Sequence, residues 1–173
     1  MFLELIATFV AGFAAAGLMM LVNRTLGGRL PRWLTPIAAG AAMIAATISS
    51  EYSWYGRTAS SLPEGIEVAH TVESKAFYRP WTYVKPYTER FMAVDVATLR
   101  RNPSQPGLVL ADLLFFGRWQ PVQKLAVMFD CQGLRQTQLP EEVNFDAQGA
   151  LIGANWAPIA ADDPALLLAC GGE

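Results

Sequence analysis

Residues Leu5 to Val22 read LIATFVAGFAAAGLMMLV, 18 positions without a charge. At about 1.5 Å of helical rise per residue such a run just crosses roughly 30 Å of hydrocarbon, so it predicts a transmembrane helix. A cleaved leader would start with basic residues and end at a small-residue site. Here the chain opens Met1-Phe2-Leu3-Glu4 and follows the run with Asn23-Arg24, which favours a retained helix.

A second run of the same length, Trp33 to Ser50, is also uncharged and predicts a second crossing. Pro36 falls in its first turn, where a missing N–H costs little. The connector between them, NRTLGGRLPR over residues 23–32, carries Arg24, Arg29 and Arg32 and no acid. The excess of basic residues places it in the cytoplasm and both termini on the far side, the periplasm in a bacterium.

The flanking residues fit that topology. Trp33 at one end of the second run and Tyr52, Trp54 and Tyr55 at the other mark the two depths at which amphipathic rings meet headgroups. Both runs also carry small residues four apart: Ala7 and Ala11, Gly12 and Ala16, then Ala38, Ala42 and Ala46. Such stripes let helices pack closely in lipid, here against each other or against a membrane protein.

Beyond the second run the chemistry changes. In a chain of 173 residues with a formal net charge of -2, the first 50 contribute Glu4 and three arginines. The remainder therefore stands at -2 - 2 = -4. No concentrated basic face of the kind a polyanion needs is visible, which excludes nucleic acid as a partner. The pattern predicts three parts: a two-helix anchor over 1–50, an interfacial linker over 51–65, and an extracytoplasmic β domain over 66–173.

Within that domain IEVAHTV (66–72) alternates as a half-buried strand, with Ile66, Val68, His70 and Val72 on one face. RFMAVDV (90–96) is a second strand. LVLADLLFFGRW (108–119) is apolar on both parities, as a central strand would be. VQKLAVMFDC (122–131) puts Leu125, Val127, Phe129 and Cys131 on one face, and LRQTQL (134–139) follows a Gln132-Gly133 turn. VNFDAQGALIG (143–153) predicts a tight hairpin. DDPALLLAC (162–170) predicts a short helix behind an acidic cap. The expected fold is a transmembrane α-hairpin followed by a small, mainly antiparallel β domain with a short C-terminal helix.

Cys131 and Cys170 are the only cysteines. On the oxidising side of a membrane two such thiols form one structural disulfide, and the spacing is not the C-x-x-C of a redox catalyst. His70 is the only histidine and sits on an apolar strand face, where a satisfied structural role is expected. No further His or Cys remains to complete a metal site with it. No phosphate-cradling loop, dinucleotide fingerprint or haem attachment motif is present, so no cofactor is expected.

The most distinctive local stretch is FYRPWTYVKPYTER (77–90). Phe77, Tyr78, Trp81, Tyr83 and Tyr87 alternate with Arg79, Lys85, Arg90 and two prolines. The prolines exclude a central strand. Aromatic and arginine side chains carry binding energy at interfaces, so these residues form the expected interaction surface, for a protein or for anionic lipid.

The expected function is that of a non-enzymatic accessory, assembly or stabilising subunit of a larger complex in a bacterial inner membrane. Its partners would be membrane lipids and an integral-membrane protein. An alternative is an envelope sensor or carrier with an apolar pocket built from Leu114, Phe116, Trp119 and Trp156. A third reading is a hydrolase using Asp95, Asp112 and Asp130, which requires those carboxylates to share a cleft without cationic partners.

Overall fold

The computed structural model describes residues 2–103, 105–139 and 155–171. The hairpin expected over 143–153 lies outside the described residues. The chain divides into two units, Met1–Arg57 and Thr58–Glu173.

The first unit is built from α1 (Phe2–Thr25) and the greater part of α2 (Leu34–Ser60). The 24 residues of α1 extend about 36 Å, enough to cross a bilayer. It ends at Gly27 and Gly28, whose φ values of 71° and 74° lie in the left-handed region that glycine enters without a Cβ clash. The Gly28 N–H donates to the Asn23 carbonyl at 2.8 Å, and the Asn23 Oδ1 accepts the Leu30 N–H at 2.9 Å, so the reversal is tied on both sides.

The helices run antiparallel. Glu4 meets Ser50, and Gly12 meets Met43. A Cβ added at Gly12 would lie 2.8 Å from the Met43 Cγ, a distance that forces the methionine aside. Ala11, Ala16, Ala38, Ala42 and Ala46 are half-buried, whereas Ala7 is exposed. The other faces of α1 present Leu5, Phe9, Phe13 and Leu18 outward, as a lipid-facing surface would.

Among the described residues one helix, Leu3–Thr25, is long and apolar enough to cross a membrane. The sequence led us to expect two. The second helix falls short because its apolar residues are interrupted by Thr35, Pro36, Gly40, Thr47, Ser49 and Ser50, and it runs into Glu51. Length and composition thus indicate one span, a property that a signal anchor shares, and give no support to a two-pass topology.

The expected linker over 51–65 is also revised. Residues 51–60 continue α2, and only 61–65 join it to the first strand. The helix persists because nothing breaks its ladder before Pro63. Ser53 donates to the Ser49 carbonyl at 2.7 Å and receives Arg57 Nη1 at 2.6 Å. Tyr52, Trp54 and Tyr55 therefore stand on a helix.

The second unit is a curled, six-stranded antiparallel sheet in sequential order. Its strands are β1 (Ile66–Ser74), β2 (Tyr87–Asn102), β3 (Gln105–Gly117), β4 (Gln120–Asp130), β5 (Arg135–Gln138) and β6 (Ala157–Pro158). A one-turn helix, α3 (Trp81–Val84), interrupts the β1–β2 connection, and α4 (Pro164–Cys170) closes the chain.

Parity along the long strands sets the core. Val94, Ala111, Leu113, Val127 and Phe129 share the face on which Ala165, Leu166 and Ala169 of α4 pack. The opposite face carries Phe91 and Ala93, both buried, with Phe91 stacked on Phe116 at 4.7 Å. β3 is thus apolar on both faces, as its sequence predicts. α4 begins where Asp163 accepts the Ala165 N–H at 2.9 Å, capping an orphan donor just ahead of Pro164.

β1 departs from its expected alternation. Its register against β2 slips between Val68 and His70, a bulge that inserts Ala69 as an extra residue. Ala69 packs toward the core while His70 and Val72 become exposed. The expectation that Ile66, Val68, His70 and Val72 share one face is corrected accordingly.

Candidate functional site

In a sequential antiparallel sheet alternate connections emerge at the same end. The β1–β2 connection (75–86) and the Arg118-Trp119 turn between β3 and β4 therefore share one end, and the Cys131 end of β4 lies at the other.

The longer connection is an ordered structure. Thr82 is fully buried. Its Oγ1 accepts the Ala76 N–H at 3.0 Å and donates to the Arg79 carbonyl at 2.7 Å, drawing the loop around itself. The Arg79 guanidinium lies 5.2 Å from the Tyr78 ring centre and 5.7 Å from that of Tyr87. It also donates to the Tyr87 hydroxyl at 3.3 Å. Such cation–π contacts fix the guanidinium among the rings.

Of the eight residues expected to form an interaction surface, Tyr87 is buried, and Arg79 and Trp81 are half-buried. These three hold the loop. Phe77, Tyr78, Tyr83, Lys85 and Arg90 are exposed, Phe77 by 86%. The structure adds members that the sequence reading missed. Val84 is 90% exposed, and Trp119 and Val122 stand out from the β3–β4 turn. The Arg118 guanidinium is 5.0 Å from the Trp119 ring centre. Counting strands would have found this addition, because an even number of reversals returns the chain to the same end.

Next to these tips is a half-open cavity of about 340 Å³. It lies on the α4 face of the sheet, beyond the reach of α4, with Val72, Met92 and Phe115 as apolar walls and Arg90 and His70 beside them. Of the residues expected to line a pocket, only Phe116 borders it. Leu114 lies on the opposite parity, Trp119 is exposed at the turn, and Trp156 sits at the other end of the sheet, 4.8 Å from the Arg135 guanidinium.

The three strand aspartates have local partners. Asp112 and Asp95 face each other across β2 and β3. Asp112 is bound by Lys124 at 2.8 Å, and Asp95 accepts the Thr98 N–H at 3.2 Å. Asp130 pairs with Arg135 at 2.7 Å. Burial pushes the Asp130 carboxyl up. The hydrogen bonds from the Gly133 N–H and from Arg135, together with the charge of that cation, outweigh burial and leave it below the ordinary carboxylate range. Among the described residues no group of three His, Cys, Asp or Glu side chains could hold a metal ion.

Cys131 and Cys170 are joined in a disulfide with Cα atoms 5.9 Å apart. The bond ties the end of β4 to the last residue of α4, the connection expected of the chain's two cysteines.

Within the helical unit Glu4 accepts from Ser50 Oγ at 2.8 Å and pairs with Arg57 at 3.4 Å. Trp33 is exposed by 58% at the start of α2, and Tyr52, Trp54 and Tyr55 are half-buried near its end.

No family model matches the chain, and no curated protein or solved structure matches it.

Proposed function

We propose that this protein is a membrane-anchored accessory subunit that works by binding, with the tip end of its β sheet as the contact surface. The carrying observation is the set of large apolar side chains left exposed there: Phe77, Tyr78, Tyr83 and Val84 on the β1–β2 connection, Trp119 on the β3–β4 turn and Val122 at the start of β4. Six such residues at one end of a small domain are a concentrated cost in water, and exposed patches of this kind mark interaction sites. Their types, with Lys85 and Arg79 among them, are those that dominate binding energy at interfaces.

In this reading α1 fixes the chain in the inner membrane of a bacterium. The antiparallel packing of α2 on α1 supports the return crossing that apolarity alone does not. Arg24, Arg29 and Arg32 would then face the cytoplasm, and both termini the periplasm, where the Cys131–Cys170 bond is stable. The partner is an integral-membrane protein with an extracytoplasmic face, and surrounding lipid is the second contact.

The test is affinity purification of the tagged full chain from its native membranes in mild detergent, beside a Tyr78→Ser/Tyr83→Ser variant. A stoichiometric membrane-protein partner that the variant loses by tenfold or more supports the reading. A chain that purifies alone, or a partner retained equally by both, sinks it.

A further inference from the structure

The helix that covers the core face is much shorter than the face. Seven residues of α4 extend about 10 Å, whereas the 13 residues of β3 extend about 43 Å. The register shows what is left over. Val94 and Leu113 pair beneath α4, and two residues along the same parity Met92 pairs with Phe115, with His70 and Gln123 as their outer neighbours.

One step further Val72 pairs with Arg90. Phe115 and Val72 are exposed at 37% and 42%, although their parity is that of the core. The cavity of about 340 Å³ occupies this stretch, which α4 does not reach and which no other described element covers, a volume within the range of roughly 300 to 1,000 Å³ typical of ligand pockets.

We propose that this uncovered end of the sheet is a binding site for an amphiphile with a hydrocarbon chain and a single carboxylate head. Val72, Met92 and Phe115 supply the apolar wall, with the unbranched thioether of Met92 able to adapt to a flexible chain. Arg90 is the only formally charged residue lining the cavity. Among the described residues its guanidinium has neither a hydrogen bond nor an ion pair. A planar guanidinium holds a carboxylate through two parallel hydrogen bonds, and the single charge of that head matches the single arginine of the cavity. No Asp or Glu lines the cavity to compete with it, and His70 and Gln123 can add hydrogen bonds at the rim. The site does not rest on the partner surface proposed above, because none of Phe77, Tyr78, Tyr83, Val84, Trp119 and Val122 lines the cavity.

The experiment uses the full chain in zwitterionic lipid nanodiscs and a decanoic acid carrying a diazirine photolabel, with labelled peptides mapped by mass spectrometry. Label is expected in strands β1 to β3, around residues 70–92 and 113–117. An excess of decanoate should displace it, and decanol should not. Arg90→Gln should reduce labelling by about tenfold, the order expected for one lost charge-assisted interaction, and Arg90→Lys should recover part of it. Gln123→Trp, at an exposed position, should block the cavity mouth without touching the core.

Label confined to α1 or to residues 77–84 would overturn the proposal. So would equal displacement by decanol, or undiminished labelling of both Arg90→Gln and Gln123→Trp.

Discussion

The two ends of the β sheet are finished in opposite ways. At the Cys131 end a disulfide joins β4 to α4, Asp130 accepts from Gly133 and Arg135, and the Arg135 guanidinium lies against Trp156. At the other end Phe77, Tyr83, Val84 and Trp119 stand exposed around loops that Thr82 and Arg79 nevertheless hold in place. Order is therefore present at both ends, while among the described residues the exposed aromatic rings gather at one, the other exposing Leu134 alone near its turn. Covalent and ionic ties at the first end concentrate stability there. The second end keeps a fixed shape without burying its rings, which is what a preorganised contact surface needs.

The largest effect should come from opening the tied end. The disulfide closes a loop with a sequence separation of 39, worth roughly 4 kcal/mol in the chain-entropy account. Against a total of about 5 to 15 kcal/mol for a domain, a Cys131→Ser/Cys170→Ser variant should melt much earlier than the parent. Thermal denaturation of the two proteins, followed by β-sheet circular dichroism, measures this. A melting point within two degrees of the parent would break the contrast between the ends.

A smaller effect is expected from the neighbouring ion pair. Asp130 has its folded pKa depressed, so the stability it contributes is fully present above the ordinary unfolded value of about 3.9 and is lost as pH falls through the folded value. Asp130→Asn should cost about 1.5 kcal/mol at neutral pH, the low end for a hydrogen bond to a charged group because Arg135 is half-exposed. Urea unfolding from pH 7 to pH 2 should show the two curves converging below about pH 4. Parallel curves throughout would remove Asp130 from the tied end.

How much of this was legible in the sequence differs between the ends for a physical reason. The tied end is encoded locally or by elimination: two cysteines have only each other, and Asp162-Asp163-Pro164 announces a helix start. The strand ladder followed from parity, except where the Ala69 bulge put His70 and Val72 on the face opposite to that of Ile66 and Val68, since a one-residue slip inverts a face. The open end depends on non-local facts. Nothing in Trp119 or Val122 announces that they lie at the same end of the sheet as Tyr83. Nor does LVLADLLFFG reveal that α4 covers only part of its core-facing side, because the relative lengths of covering elements are properties of the assembled fold. In the helical unit the second apolar run is less apolar than expected, its hydropathy lowered by Thr35, Pro36, Thr47, Ser49, Ser50 and the adjoining Glu51.

The smallest effect is the most discriminating. If the exposed rings serve contact and not the core, truncating them should leave stability almost untouched, within about 0.5 kcal/mol as for ordinary surface positions. Phe77→Ser and Tyr83→Ser test this directly, because both side chains are exposed while the anchors Thr82 and Tyr87 remain buried. Thr82→Val provides the internal control. It keeps the volume but removes the hydroxyl that accepts from Ala76 and donates to Arg79, so it should loosen the loop and raise amide exchange over residues 76–84. Unchanged melting of the two serine variants beside faster exchange in Thr82→Val would separate presentation from stability at this end. A loss of 2 kcal/mol or more in Tyr83→Ser would instead assign that ring to the core and take it out of the proposed contact surface.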